Sequence, residues 1–161
     1  MTKERQMEII LWSIAFPGFG QFLNGQFLKG LLFILLEVVI NIQSNFNQVI
    51  IYSFQGDIQS AIEYTNYQWL MFYPYIYMFA IWDAYKDAGG GKSPYSFLPF
   101  AFSAYFLTVG LIYSSRLELF SVLFGPVFLP MLFLIPGISI GFLFKATFLH
   151  LTNSDLKGKG D

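Results

Sequence analysis

The sequence predicts an all-α, polytopic helical membrane protein. About four transmembrane helices are expected, plus an N-terminal segment, bent by glycine and proline, that re-enters the bilayer or lies at its interface. Three observations predict this class. Of 161 residues, 55% are hydrophobic and only 12% are charged. Aromatics make up 20% of the chain, including 20 Phe and 10 Tyr, more apolar surface than a soluble domain of this length can cover. Uncharged runs extend over Ile9–Leu28, Val38–Gly56, Tyr64–Trp82, Ser93–Ser115 and Leu119–Phe144, at or near the roughly 20 residues a span requires. Residues 1–161 read as one integral membrane domain.

Ile9–Phe16 is too short to cross before Pro17, and the stretch Phe16–Gly30 gathers Gly18, Gly20, Gly25 and Gly30 with the turn pair Asn24-Gly25. Glycines permit close backbone approach, and proline interrupts a helix interior. Lys3 and Arg5 precede the apolar run as in a signal peptide, but no small-x-small cleavage site follows, so the segment is expected to be retained. A second helix is expected from near Phe27 to about Gln43, with Glu37 as its one interior acid. In the polar interval Ser44–Tyr67, Phe46, Val49, Ile50, Ile51 and Phe54 sit near helical spacing and suggest an interfacial helix. The next span is Trp69–Tyr85, carrying Pro74. The glycines of Lys86–Pro94 make it a flexible loop. Tyr95–Ser115 spans again, Arg116 and Glu118 mark a short turn, and Leu119–Leu149 exceeds one bilayer crossing. Its prolines, Pro126, Pro130 and Pro136, should kink it, or its first residues should form a cap. The tail from His150 is expected to fray.

Lys and Arg near the span ends set orientation. Lys86 and Lys92 share one loop, Lys145, Lys157 and Lys159 follow the last span, and Ser44–Tyr67 holds neither residue type. The lysine-rich side, with the C-terminus, is therefore expected in the cytoplasm. Lys3, Arg5 and Lys29 then all lie inside, and the first apolar segment must dip and return. The alternative is a true first span that leaves Lys3 and Arg5 outside.

The opening Pro17-Gly18-Phe19-Gly20-Gln21 with Asn24-Gly25 and Lys29-Gly30, followed by Trp82-Asp83-Ala84-Tyr85, resembles the small two-transmembrane-segment domain and related bacterial multi-pass membrane families of unknown function. The resemblance covers about residues 1–88; the helical hairpin 95–149 has no counterpart in that domain. The eukaryotic-style domain also carries a basic or histidine residue where Gln21-Phe22 stands here. The resemblance implies a bacterial cell-membrane topology far more than an activity, with Pro17, Gly18, Gly20, Gln21, Asn24, Gly25, Lys29, Gly30, Trp82, Asp83 and Tyr85 as the matching positions.

Two acids stand out. A charged carboxylate inside the bilayer costs from about 2.5 kcal/mol upward, so Glu37 is either a proton or cation handler or a neutral acid bonded to a neighbour such as Asn41. Asp83 is an interfacial anchor beside Trp82 and Tyr85, or the partner of Lys29. Gly89–Ser93 does not form a phosphate loop, because Lys86 stands where that loop needs its first glycine. Gly137 and Gly141 form a small-x-x-x-small face suited to internal packing or self-association. His150 has no second ligand at metal spacing, and cysteine is absent. No catalytic, metal or cofactor set is legible, and the lack of a basic stripe argues against nucleic acid. The reading is a non-enzymatic membrane protein binding partner proteins or lipids in envelope assembly or homeostasis. The alternative is a small proton-coupled carrier using Glu37; a lipid-modifying enzyme using Asp83 ranks third.

Overall fold

Thr2 begins the first helix by accepting the Arg5 N–H on its hydroxyl at 3.3 Å. The computed structural model describes residues 2–158; Lys159, one of the tail lysines behind the expected orientation, lies outside them. Helix α1 (Lys3–Ala15) stops where Phe16 turns extended, at φ −158°. Gly18 then takes φ 103° and starts the short α2 (Phe19–Leu23). After the Asn24-Gly25 turn, α3 (Phe27–Ser44) runs the height of the molecule to Asn45, which adopts the left-handed conformation.

The polar interval forms two short helices instead of one, α4 (Phe46–Phe54) and α5 (Ile58–Tyr64). Asp57 caps α5 by accepting the Ser60 N–H at 3.1 Å, and Gly56 breaks the chain between them with a positive φ. The expected span at Trp69–Tyr85 is also divided, into α6 (Tyr67–Leu70) and α7 (Tyr73–Asp87). Pro74 explains the division. It sits in the first turn of α7, where its missing N–H leaves no bond unmade.

Pro99 occupies the same kind of position in α8 (Leu98–Tyr113). The short turn expected at Arg116 and Glu118 is a β-hairpin of β1 (Glu118–Leu119) and β2 (Val122–Leu123), with Phe120 and Ser121 both at positive φ. The long final helix, α9 (Gly125–Gly158), holds Pro126 in its first turn and passes through Pro130 and Pro136. It also continues past His150, where the sequence suggested fraying.

Helices α3, α7, α8 and α9 alternate in direction. Lys29 at the start of α3 meets Asp83 near the end of α7, whereas the Ser44 carbonyl at the far end of α3 accepts the Asn66 N–H at 3.2 Å. Tyr67 pairs with Ser114 at that same far end. The α8–α9 pair is packed through glycines. A Cβ on Gly110 would lie 2.8 Å from Pro130 Cα, one on Gly137 3.0 Å from Ser103 Cα, and one on Gly141 2.5 Å from Pro99 Cα. Gly137 and Gly141 are therefore buried against α8. The self-association face they suggested is already occupied within the chain.

Among the described residues, α3 and α9 are long and apolar enough to cross a membrane, and α8 is a shorter apolar helix. Both long helices carry apolar exteriors: Leu28 and Ile42 are 83% and 67% exposed, Ile135 and Leu143 65% and 64%. Gly141→Leu should drive a side chain into Pro99 and lower stability by about 1–3 kcal/mol. The thermal midpoint in detergent reads this, and an unchanged midpoint would mean that α8 and α9 lie further apart.

Candidate functional site: the N-terminal element on α7

Ala80 and Ala84 of α7 and its C-cap residue Ala88 recur at every fourth position and so form one narrow stripe of small side chains. The N-terminal element lies on that stripe. Gln6 of α1 donates its amide to the Ala88 carbonyl at 3.2 Å. Asn24 donates to the Ala84 carbonyl at 2.8 Å, and Gln21 to the Ala80 carbonyl at 2.8 Å. Three carboxamides thus read three successive carbonyls along one helix face. Those to Ala80 and Ala84 add a second contact to carbonyls already in the helix ladder, whereas the one to Ala88 satisfies the C-cap carbonyl that the ladder leaves free; each is worth about 0.5–1.5 kcal/mol net.

Close approach makes these bonds reachable. A Cβ on Gly20 would lie 2.7 Å from Ala84 Cβ and 3.2 Å from the Ile9 carbonyl, and would also strike the Ser13 hydroxyl. Ser13 and Ile9 are themselves fully buried. Gly18 approaches α3 in the same manner: a Cβ there would lie 2.6 Å from the Gly30 carbonyl oxygen. Gly30 in turn leaves room for the Phe22 ring. Pro17 is fully buried at the bend. Gly25 differs, since its Cβ would meet nothing within 4 Å and only its φ of 76° calls for glycine.

Charged groups close the rim. Lys29 Nζ lies 3.0 Å from Asp83 and 2.9 Å from Asp87, and Gln21 also donates to Asp83 at 3.2 Å. Arg5 bridges Glu8 at 2.8 Å and donates to the Leu23 carbonyl at 2.8 Å. That last bond joins the first helical turn of α1 to the end of α2, so the element leaves one end of the molecule and returns to it. At its deepest point the Tyr77 hydroxyl donates to the Ile14 carbonyl.

The Lys29–Asp83 pair suggested by the sequence is present. Asp87, Gln6, Ser13 and the alanine stripe were not singled out there. Their only sequence signal is the four-residue spacing of the alanines, which is commonplace in helices. Trp82 and Tyr85 do not join this site. They face α8, where Trp82 packs 5.6 Å from Phe100 and Tyr85 lies 5.9 Å from the same ring. Glu37 lies elsewhere as well, buried with 7% exposure. Its carboxylate accepts from the Tyr73 hydroxyl at 3.0 Å. The expected partner Asn41 instead donates to Asn47 at 3.1 Å, because one helical turn carries it out to the start of α4.

What the arrangement does chemically is hold. Its amide N–H groups and charges are directed at backbone carbonyls of α7 and α2 and at one another, while the amide oxygens of Gln21, Asn24 and Gln26 are buried without a partner in the chain. Among the described residues, no group of three or more His, Cys, Asp or Glu could hold a metal ion. No family model, curated protein or solved structure matches the chain.

Two substitutions separate packing from backbone strain. Gly20→Ala should cost about 1–3 kcal/mol through overpacking, whereas Gly25→Asn should be nearly neutral, because asparagine tolerates the left-handed region. Equal effects on detergent unfolding would contradict the close crossing. In a double-mutant cycle, Lys29→Ala and Asp83→Ala should be less than additive, by under about 1 kcal/mol given the exposure of Lys29. Strict additivity in the Asp87→Ala background would mean that Lys29 and Asp83 are not coupled.

Proposed function

We propose that the chain is a non-enzymatic, four-pass protein of the bacterial cell membrane, with α3, α7, α8 and α9 crossing and α1–α2 dipping from the cytoplasmic side. On this reading it binds partner proteins or lipids in envelope assembly or homeostasis, as the resemblance to the two-transmembrane-segment group suggests. The observation that carries it is the sorting of charge by end. Lys3, Arg5, Lys29, Lys86, Lys92 and Lys145 lie at the end where α1 begins and α7 and α9 approach their C-termini. Among the described residues the opposite end, with α4, α5 and the hairpin, has Arg116 alone as a cation beside Asp57, Glu63 and Glu118. The positive-inside rule puts the lysine end in the cytoplasm.

Helix length supports the same reading. The α6–α7 stretch from Tyr67 to Asp87 climbs about 30 Å at 1.5 Å per residue, near one hydrocarbon thickness. Helix α8 is shorter, and its flanking aromatics, Tyr95 and Tyr113, suit the headgroup level. The amide N–H groups of Gln6, Gln21 and Asn24 hold the N-terminal element to α7, a structural use that fits a non-enzymatic reading.

The chain has no native cysteine, so single cysteines report topology cleanly. Gln55→Cys should label from outside and Ser93→Cys from the cytoplasm; labelling from one side, or the reverse assignment, would overturn the four-pass reading.

One observation favours the carrier reading: Glu37 is buried in α3 with a tyrosine hydroxyl as its partner. Buried acids in spans mark ion and proton paths. If Glu37 carries protons, Glu37→Gln should abolish proton-coupled flux in proteoliposomes while the protein stays folded. Wild-type flux in the variant would remove the carrier reading, as the amide preserves the hydrogen-bonding shape but cannot titrate.

A further inference from the structure

Helix α2 ends in a turn closed on a single oxygen. The Gln21 carbonyl accepts the Asn24 N–H at 3.1 Å and the Gln26 N–H at 2.9 Å, and the Phe22 carbonyl accepts the Gly25 N–H at 2.9 Å. With Gly25 at φ 76°, this is a Schellman turn. Gln21 and Gln26 hold the two positions of such a turn whose side chains commonly meet, as an apolar contact. Here both are glutamines, and Asn24 stands between them. The side-chain oxygens of all three, Gln21 Oε1, Asn24 Oδ1 and Gln26 Oε1, are buried with no hydrogen-bond partner among the described residues. Gln21 is itself fully buried.

Buried polar atoms in native structures are rarely left unpaired, and three acceptors in one turn require a common partner. Turning the Gln21 or Asn24 amide over does not supply it. Their nitrogens donate to the Ala80 and Ala84 carbonyls, and a turned amide would set oxygen against oxygen there. The partner is therefore electropositive and comes from outside these side chains. Charge at the rim agrees. Lys29 faces both Asp83 and Asp87, so two carboxylates meet one ammonium, and Gln21 touches the same Asp83 at 3.2 Å. We propose that the Gln21–Gln26 turn is a binding site for an alkali cation, held by the three carboxamide oxygens. Alkali cations take neutral carbonyl oxygens as ligands, whereas calcium and magnesium draw on carboxylates, which Lys29 already engages here. A single water has two hydrogens for three oxygens. Gly25 is exposed, with nothing within 4 Å of its Cβ position, and leaves the ion a route in from the rim.

Thermal unfolding of the full chain in detergent tests this. At fixed ionic strength, sodium or potassium chloride should raise the midpoint saturably, by about 4 °C over N-methylglucamine chloride, whose cation is too large to enter. Gln26→Leu removes one unpartnered oxygen and installs the apolar residue usual at that position of the turn. The variant should fold and lose the alkali response. Gln26→Glu keeps an oxygen there and adds a charge, so it should lower the half-saturating salt concentration about fivefold. Gln55→Leu, exposed at the opposite end, should respond as the wild-type chain does. Equal midpoints in all three salts would mean that water alone fills the turn, and would overturn the proposal. So would a response that Gln26→Leu leaves unchanged, because the ion would then bind elsewhere. Should Gln26→Leu not fold, Gln26→Glu decides alone: a half-saturating concentration that does not fall overturns the site. None of these outcomes touches the four-pass reading, which the cysteine labels test separately.

Discussion

The contact of Gly20 with Ala84, with Ser13 wedged beside it, is the constraint on which the rest of the structure depends. At that point Gly20 of α2 meets the Ala84 methyl of α7 and the Ser13 hydroxymethyl of α1 directly, with Ile9 and Leu23 packed on Ala84 and Ala88 around the contact. Three carboxamides can then reach two carbonyls in the α7 ladder and the open carbonyl of its C-cap, Ala88. Dispersion at this close approach and the amide contacts together hold the three helices in place. The bent segment is therefore fixed by fit, and the fit depends on glycine at one position.

From this crossing the placement of later elements follows. With α1–α2 seated on one face of α7, α3 is led away from Gly30 along a second face, and Lys29 reaches the acids at the end of α7. The third face is left for α8, which fastens to α9 through a second set of glycines, Gly110, Gly137 and Gly141. Small residues thus do the same work twice, once for the bent N-terminal element and once for the α8–α9 hairpin. Large aromatics fill what the small residues leave, as in the stacked Phe102 and Phe144 rings at 4.9 Å.

Much of this was legible in the sequence, for a physical reason. Uncharged length and glycine-proline punctuation act locally, so the helices of Phe27–Ser44 and Leu98–Tyr113 and the bend at Pro17-Gly18 could be read directly. The Lys29–Asp83 pair was reachable because opposite charges at the same end of neighbouring helices attract one another. The alanine stripe was not, since an alanine is informative only once its neighbour is known. Asn41 shows the opposite failure. The one-turn spacing from Glu37 was real, but the left-handed turn at Asn45 brought Asn47 within reach of it first, and Tyr73 took the acid. The β-hairpin escaped because its turn residues, Phe120 and Ser121, lack the Asn-Gly signature such turns usually carry.

That hairpin and the bent N-terminal element mark the two ends of the molecule as different in kind. At the lysine end, backbone carbonyls at Leu23, Ala84 and Ala88 are covered by side chains of α1 and α2. The opposite end ends in short helices and a strained turn whose Phe120 is fully exposed. An element that only filled space would need neither the three amide bonds nor the paired charges at its rim. Their cost in buried polar groups is sensible if the N-terminal element must hold one position against α7 while the far face of the same helix stays open. The closed face and the open face of α7 are then two consequences of one choice, small residues on one side of the helix and aromatic residues on the other.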